Sequence, residues 1–181
     1  GYRPFLEWSE EDYDRIMAVN TKGTWLFCRE VIPHMRRQKE GQIINVASVA
    51  GLQGYPSEAI YCASKFAQIG LTQALDREFY REGIKVTAIC PGGVETYFAL
   101  GDGRTPGAEN LKGFSTAEDV AEAVVLAALP RARELVPRAD SGREDDEVGF
   151  QAGAVREHEP VAPLAAGNDL LGVFLQVDRG A

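Results

Sequence analysis

The 181-residue chain has no apolar run approaching the ~18 positions that a membrane-crossing helix needs. It has little positive charge. Against 27 acidic residues stand 19 Lys and Arg, a formal net charge of −8. That balance argues against a nucleic-acid footprint and disfavours an anionic membrane surface as partner. Cysteine is scarce too. Cys28, Cys62 and Cys90 are odd in number, lack a C-x-x-C spacing and each sit in an apolar context. This excludes a paired disulfide framework and fits a reduced, cytoplasmic compartment. The two histidines, His34 and His158, lie far apart with no ligand pattern around them, so no metal site is expected. What remains is a globular composition, 45% hydrophobic, at a length suited to one domain and with no internal repeat.

Helix and strand signals alternate. Ser9, followed by Glu10, Glu11 and Asp12, is a helix start with an acidic first turn. Ile16, Val19, Trp25, Leu26, Val31 and Met35 follow at roughly helical spacing. Arg36, Arg37 and Lys39 suit the negative end of that helix, and Gly41 is expected to end it. A strand over 42–47, a helix over 57–82 closed by Gly83, and a strand over 84–90 come next. A helix ahead of each strand implies right-handed crossovers and a parallel sheet. Residues 94–114 form a Gly-rich loop, a length that is unusual unless functional. Ser115-Thr116-Ala117-Glu118 has the form of a capping box and opens a helix running to about Leu129. Beyond Pro130 the chain becomes charge-dense, then rich in Ala, Pro and Gly.

The chemistry concentrates around Tyr61 and Lys65. Four residues apart on a helix, they share a face, with the ammonium near the phenol. An unperturbed phenol has a pKa near ~10, and a neighbouring cation is expected to lower it. Ser48, at the end of the apolar run Gln42–Ala47, supplies a hydroxyl that can hydrogen-bond a carbonyl or alcohol oxygen. Such a trio can move a proton on or off an oxygen. Tyr-x-x-x-Lys alone is weak, because any long helix can place a packed Tyr beside a solvated Lys. Three other stretches accompany it: Gln-Ile-Ile-Asn-Val-Ala-Ser-Val-Ala-Gly over 42–51, Ile-Lys-Val-Thr-Ala-Ile-Cys-Pro-Gly-Gly-Val-Glu-Thr over 84–96, and Asn20 within Met-Ala-Val-Asn-Thr-Lys-Gly.

In order and spacing these motifs resemble the short-chain dehydrogenase/reductase family, from about Gly1 to Leu129. The resemblance implies an α/β fold: an incomplete Rossmann-type, doubly wound parallel sheet holding strands five, six and, in the tail, seven of the family sheet. No Gly-rich turn following a strand is found, so the chain is expected to be the family's C-terminal part, without its N-terminal cofactor motif. Residues 1–137 would be that half-domain and 138–181 a loosely ordered linker and tail, with a last strand at 172–178. The resemblance makes Tyr61 the general acid/base and gives Lys65 two tasks, lowering the phenol pKa and bonding the nicotinamide ribose. Ser48 would orient the reacting oxygen, and Asn20 would hold a water linking Lys65 to solvent. Pro91, Gly92, Val94 and Thr96 would line the nicotinamide, with Gly92 and Gly93 allowing a sharp turn close to the ring. The loop over 97–114, with Phe98, Leu100 and Leu111, would cover the substrate.

The implied activity is hydride transfer between NADP or NAD, NADP being placed first, and a small-molecule carbonyl or secondary alcohol. The alternative is a catalytically incomplete module that only associates with other chains. A homo-oligomer is expected through the two long helices. The first strand should be an exposed sheet edge, with Ile43, Ile44 and Val46 short of helix cover on one face.

Overall fold

The computed structural model describes residues 2–96, 98, 114–129 and 174–177. Three parallel strands, β1 (Gly41–Val46), β2 (Ile84–Pro91) and β3 (Phe174–Val177), form one sheet in the order β1-β2-β3. The helices are α1 (Glu10–Ile16), α2 (Gly23–Gln38), α3 (Ala59–Phe79) and α4 (Ala117–Ala128). Gly41 pairs with Ile84 and Val46 with Ile89; Ala88 pairs with Phe174.

Central position explains the composition of β2. Every residue from Ile84 to Pro91 is buried, as a parallel strand covered on both faces must be. Side chains alternate between the faces. Ile84 and Val86 pack with Cys28 and Ile32 of α2, flanked by Leu75 and Phe79 of α3. Ala88 and Cys90 continue that face against Ile69 of α3 and Ala47. Ile89 turns the other way, onto Ala123 and Ala127 of α4. The sheet is thus wound by helices on both sides, the incomplete Rossmann-type arrangement expected.

Among the described residues β1 is an edge, also as expected. Its helix cover is better than predicted. Ile43 packs on the α2–α3 side and Ile44 on the α4 side, because α4 reaches across β2 to its neighbour. Val46 alone of the three is left open, at 47% exposure.

Several boundaries move for identifiable reasons. The Ser9 hydroxyl accepts from Asp12 N at 3.1 Å and caps α1 as predicted. The long first helix, however, is interrupted by a π-helical segment, Met17–Lys22. Its C-cap is Lys39, in the left-handed region at φ 57, and Gly41 instead begins β1. A Cβ at Gly41 would overlap the Met35 side chain, so packing explains this glycine. Gly83, at φ 83, does close the α3 segment. Ser57 stands outside α3 at φ 64. The capping box lies one residue later than predicted: Thr116 accepts from Asp119 N at 3.2 Å, and Asp119 accepts from Thr116 N at 2.7 Å. β3 falls within the expected 172–178, whereas residues 138–173 and 178–181 of the expected linker and tail lie outside the described residues.

Candidate active site

The site begins where β1 and β2 end. Ser48 has an extended backbone and caps the short turn Val49–Gly51, its Oγ accepting from Ala50 N at 3.1 Å. That leaves the hydroxyl proton free to be donated. The turn lies hard against α3. A Cβ at Gly51 would stand 2.6 Å from Ile69 Cδ1 and 2.7 Å from the Lys65 carbonyl oxygen. The absent side chain at Gly51 therefore sets how closely the Ser48 segment approaches the helical turn bearing Tyr61 and Lys65.

Ser48, Tyr61 and Lys65 line one cleft of about 890 Å³, as do Pro91, Gly92, Gly93, Val94 and Thr96. Lys65 is 9% exposed. Its ammonium donates to Val46 O at 3.4 Å and stands 5.6 Å from the Tyr61 ring centroid. Burial lowers the Lys65 pKa from its ordinary value, with the Cys90 thiol opposing that shift. Burial pushes the Tyr61 phenol up; the hydrogen bond with Ser48 draws it down, and the Glu58 carboxylate raises it again. The expected depression of the phenol pKa is therefore reversed in the chain by itself. Desolvation of the phenol dominates, and Lys65 is set beside the ring rather than on the hydroxyl. The Cys90 thiol, buried beneath the cleft, is raised to about 11 and stays protonated at neutral pH.

The wall after β2 is built differently from the expectation. Neither Gly92 nor Gly93 has positive φ, so the turn does not draw on glycine's left-handed freedom. A Cβ at Gly93 would instead come 2.5 Å from the Phe114 ring. Glu95 N donates to Ser115 O at 2.8 Å and Ser115 N to Gly93 O at 3.2 Å, joining the two ends of the long loop. Thr96 Oγ1 accepts from Phe98 N at 3.3 Å. Phe98 lines the cleft with its ring centroid 6.2 Å from that of Tyr61. Leu100 and Leu111 lie outside the described residues.

Asn20 stands apart from the cleft lining. Its Nδ2 donates to Ser64 Oγ at 3.0 Å, and its carbonyl accepts from Thr24 Oγ1 at 2.7 Å. Ser64 Oγ in turn donates to Tyr61 O at 2.7 Å. The seam continues as Gln68 Nε2 donates to Thr24 Oγ1 at 2.7 Å, Thr72 Oγ1 to Gln68 O at 2.8 Å, and Asn45 Nδ2 to Thr72 Oγ1 at 2.9 Å. A polar strip thus ties the π segment, α3 and β1 together behind Tyr61 and Lys65. π-Bulges recur at functional sites, and this one brings Asn20 against α3. Sequence reasoning missed the seam, although Ser64, Gln68 and Thr72 recur every four residues and so share one face of the helix, which was a usable signal. It also missed Tyr2, Tyr55, Glu58 and Phe114 in the cleft wall.

A doubly wound parallel sheet with its cleft at the strands' carboxyl ends defines a Rossmann-type protein. Residues 1–104 match the family described as short chain dehydrogenase, and the chain belongs to that family. It is 34% identical over 165 residues to an uncharacterized oxidoreductase of Thermotoga maritima, a match covering 85% of this chain and 59% of that protein. Among solved structures it is similar to 4-hydroxyisoleucine dehydrogenase complexed with NADH, with a TM-score of 0.63 and 30% identity over 74% of this chain and 58% of the other. ElxO with NADP bound gives a TM-score of 0.64 at 27% identity, over 71% of this chain and 55% of that one. The chain spans a little over half the length of each of these proteins. Among the described residues no helix is long and apolar enough to cross a membrane.

Proposed function

We propose that the protein to which these residues belong transfers hydride between a nicotinamide dinucleotide and a small carbonyl compound or secondary alcohol, with Tyr61 as general acid/base. The observation that carries this reading is the convergence of Ser48, Tyr61 and Lys65 on one cleft at the carboxyl ends of β1 and β2. The lining fits the nicotinamide-ribose end of such a cofactor. Lys65 presents an ammonium with three donors to a cleft in which its described bond is a long one, 3.4 Å to Val46 O.

The bound nicotinamide supplies or accepts the hydride. The chain's own residues handle the oxygen. Ser48 donates a hydrogen bond to it, fixing its position beside the phenol. In reduction Tyr61 gives its proton to the carbonyl oxygen as charge develops there; in oxidation the phenolate takes the alcohol's proton. Lys65 would bond a ribose hydroxyl of the cofactor, and its charge would offset the phenolate. Asn20 acts from behind, holding Ser64 and with it the helical turn of Tyr61, and its segment is the place for a water relay from Lys65. Pro91, Gly92, Val94 and Thr96, which line the cleft, would hold the nicotinamide, and the Thr96 hydroxyl would serve its carboxamide. NADP and NAD both suit this end of the site. The protein is taken to work in the cytoplasm.

The same reading makes the protein a homo-oligomer. Val19 and Phe27 are 67% and 77% exposed on the π segment and α2, and a second copy would cover them. Fluorescence titration of the chain with NADPH and NADH, alongside Lys65→Met, tests the cofactor assignment. Saturable binding that Lys65→Met weakens supports it. Binding that Lys65→Met leaves unchanged contradicts it, and no binding by a folded sample of these residues alone favours the association-only module for them.

A further inference from the structure

Two aromatic side chains, Phe98 and Phe114, stand on the stems of the loop between β2 and α4, and both line the cleft. The stems are pinned together. Val94 and Ser115 form a parallel bridge, Glu95 N donates to Ser115 O at 2.8 Å, and Ser115 N donates to Gly93 O at 3.2 Å. Phe114 is wedged on Gly93, where even a Cβ would come 2.5 Å from its ring. Phe98 is set by its own backbone, whose N donates to Thr96 Oγ1 at 3.3 Å. Contacts within the stems thus account for where both rings stand.

The Phe98 ring centroid lies 6.2 Å from that of Tyr61, with the planes 44° apart. That is inside the range of about 4.5–7 Å over which tilted and offset rings attract. Yet Phe98 stays 63% exposed, so most of an apolar ring is left open beside the acid/base. Covering it is favourable for any apolar group. The position of the chemistry says which group that would be. An oxygen bonded to the Tyr61 hydroxyl puts the reacting carbon one bond further on, and that carbon's own substituent next. Such a substituent meets Phe98 only one ring contact from Tyr61. A saturated group there gains area alone, whereas a planar ring adds the attraction of ring to ring.

We propose that Phe98, backed by Phe114, selects substrates whose reacting carbon carries an aromatic ring: aryl ketones in reduction and benzylic alcohols in oxidation. This rests on the oxidoreductase reading of the same cleft, but its test does not need turnover. NMR titration of the 181-residue chain compares acetophenone with cyclohexyl methyl ketone, the same carbon skeleton without the planar ring. Acetophenone should bind about three- to tenfold tighter, the increment that a ring pair adds to buried area, and its ring protons should show NOEs to Phe98. Phe98→Leu keeps an apolar side chain and should abolish the preference; Phe98→Tyr should retain it. Phe98 is largely exposed, so neither change disturbs the packed core. Equal binding of the two ketones, no binding of either, or a preference untouched in Phe98→Leu would overturn the proposal. Discrimination by the chain, with no nicotinamide-dependent turnover of either ketone by the protein to which it belongs, would sink the oxidoreductase reading alone; turnover of both ketones with equal affinity would sink this one alone.

Discussion

Removing one hydroxyl, in Ser64→Ala, probes the seam that holds the candidate site. Ser64 is fully buried. Its Oγ accepts from Asn20 Nδ2 at 3.0 Å and donates to Tyr61 O at 2.7 Å. In the variant Tyr61 O keeps its helical bond, so the main loss is the acceptor for Asn20. An orphaned buried donor costs about 1–3 kcal/mol. Asn20 is only half-buried, which places the cost in the lower part of that range, about 1–2 kcal/mol. With a urea m-value of about 2 kcal/mol/M, the unfolding midpoint should fall by about 0.5–1 M. Asn20→Ala leaves Ser64 its bond to Tyr61 O and should cost less. Because the two side chains meet in one bond, the double variant should be more stable than the summed single effects predict, by about 0.5–1.5 kcal/mol. Urea unfolding followed by circular dichroism measures all four corners of the cycle. Additivity to within about 0.5 kcal/mol would refute the coupling, and with it the view that Asn20 positions the turn of Tyr61.

Two further outcomes follow from the geometry. Burial holds the Tyr61 phenol protonated to above its ordinary value. Reduction, which needs the acid, should therefore hold level through neutral pH and decline only above the raised pKa, while oxidation, which needs the base, should climb through the alkaline range; pH–rate profiles in both directions would show it, and an oxidation rate already level at neutral pH would contradict it. Gly51→Ala should destabilise the chain by about 1–3 kcal/mol through overpacking, since one of the atoms in the way is the Lys65 backbone oxygen, 2.7 Å from the new Cβ; an unchanged melting temperature with unchanged cofactor affinity would refute that role for Gly51.

Much of this was legible from local pattern. The strand over 84–90 was read from its local pattern, and Ser9 and Gly83 marked helix ends through chemistry that acts within four residues. Tyr61 and Lys65 were placed together by helical geometry alone. What escaped depends on contacts distant in sequence. The π segment forms where Asn20 and Thr21 bond to Ser64, 44 and 43 residues away. Gly41 and Gly93 answer to Met35 and Phe114, which no local rule foresees. The Tyr61 pKa was misjudged because spacing reveals a neighbouring cation but not how deeply the phenol is buried. Glu58 was overlooked because, read along the chain, it is one more acid near a helix start; only its place in the cleft wall sets it apart.

The most direct test of the central claim compares the protein with Tyr61→Phe in NADPH- or NADH-dependent reduction of a ketone that binds the cleft, with cofactor affinity measured on the same samples. Losing the proton donor should lower kcat by about 100- to 10,000-fold and leave cofactor binding nearly unchanged. Turnover retained in Tyr61→Phe would contradict the assignment of Tyr61 as the acid/base of this cleft.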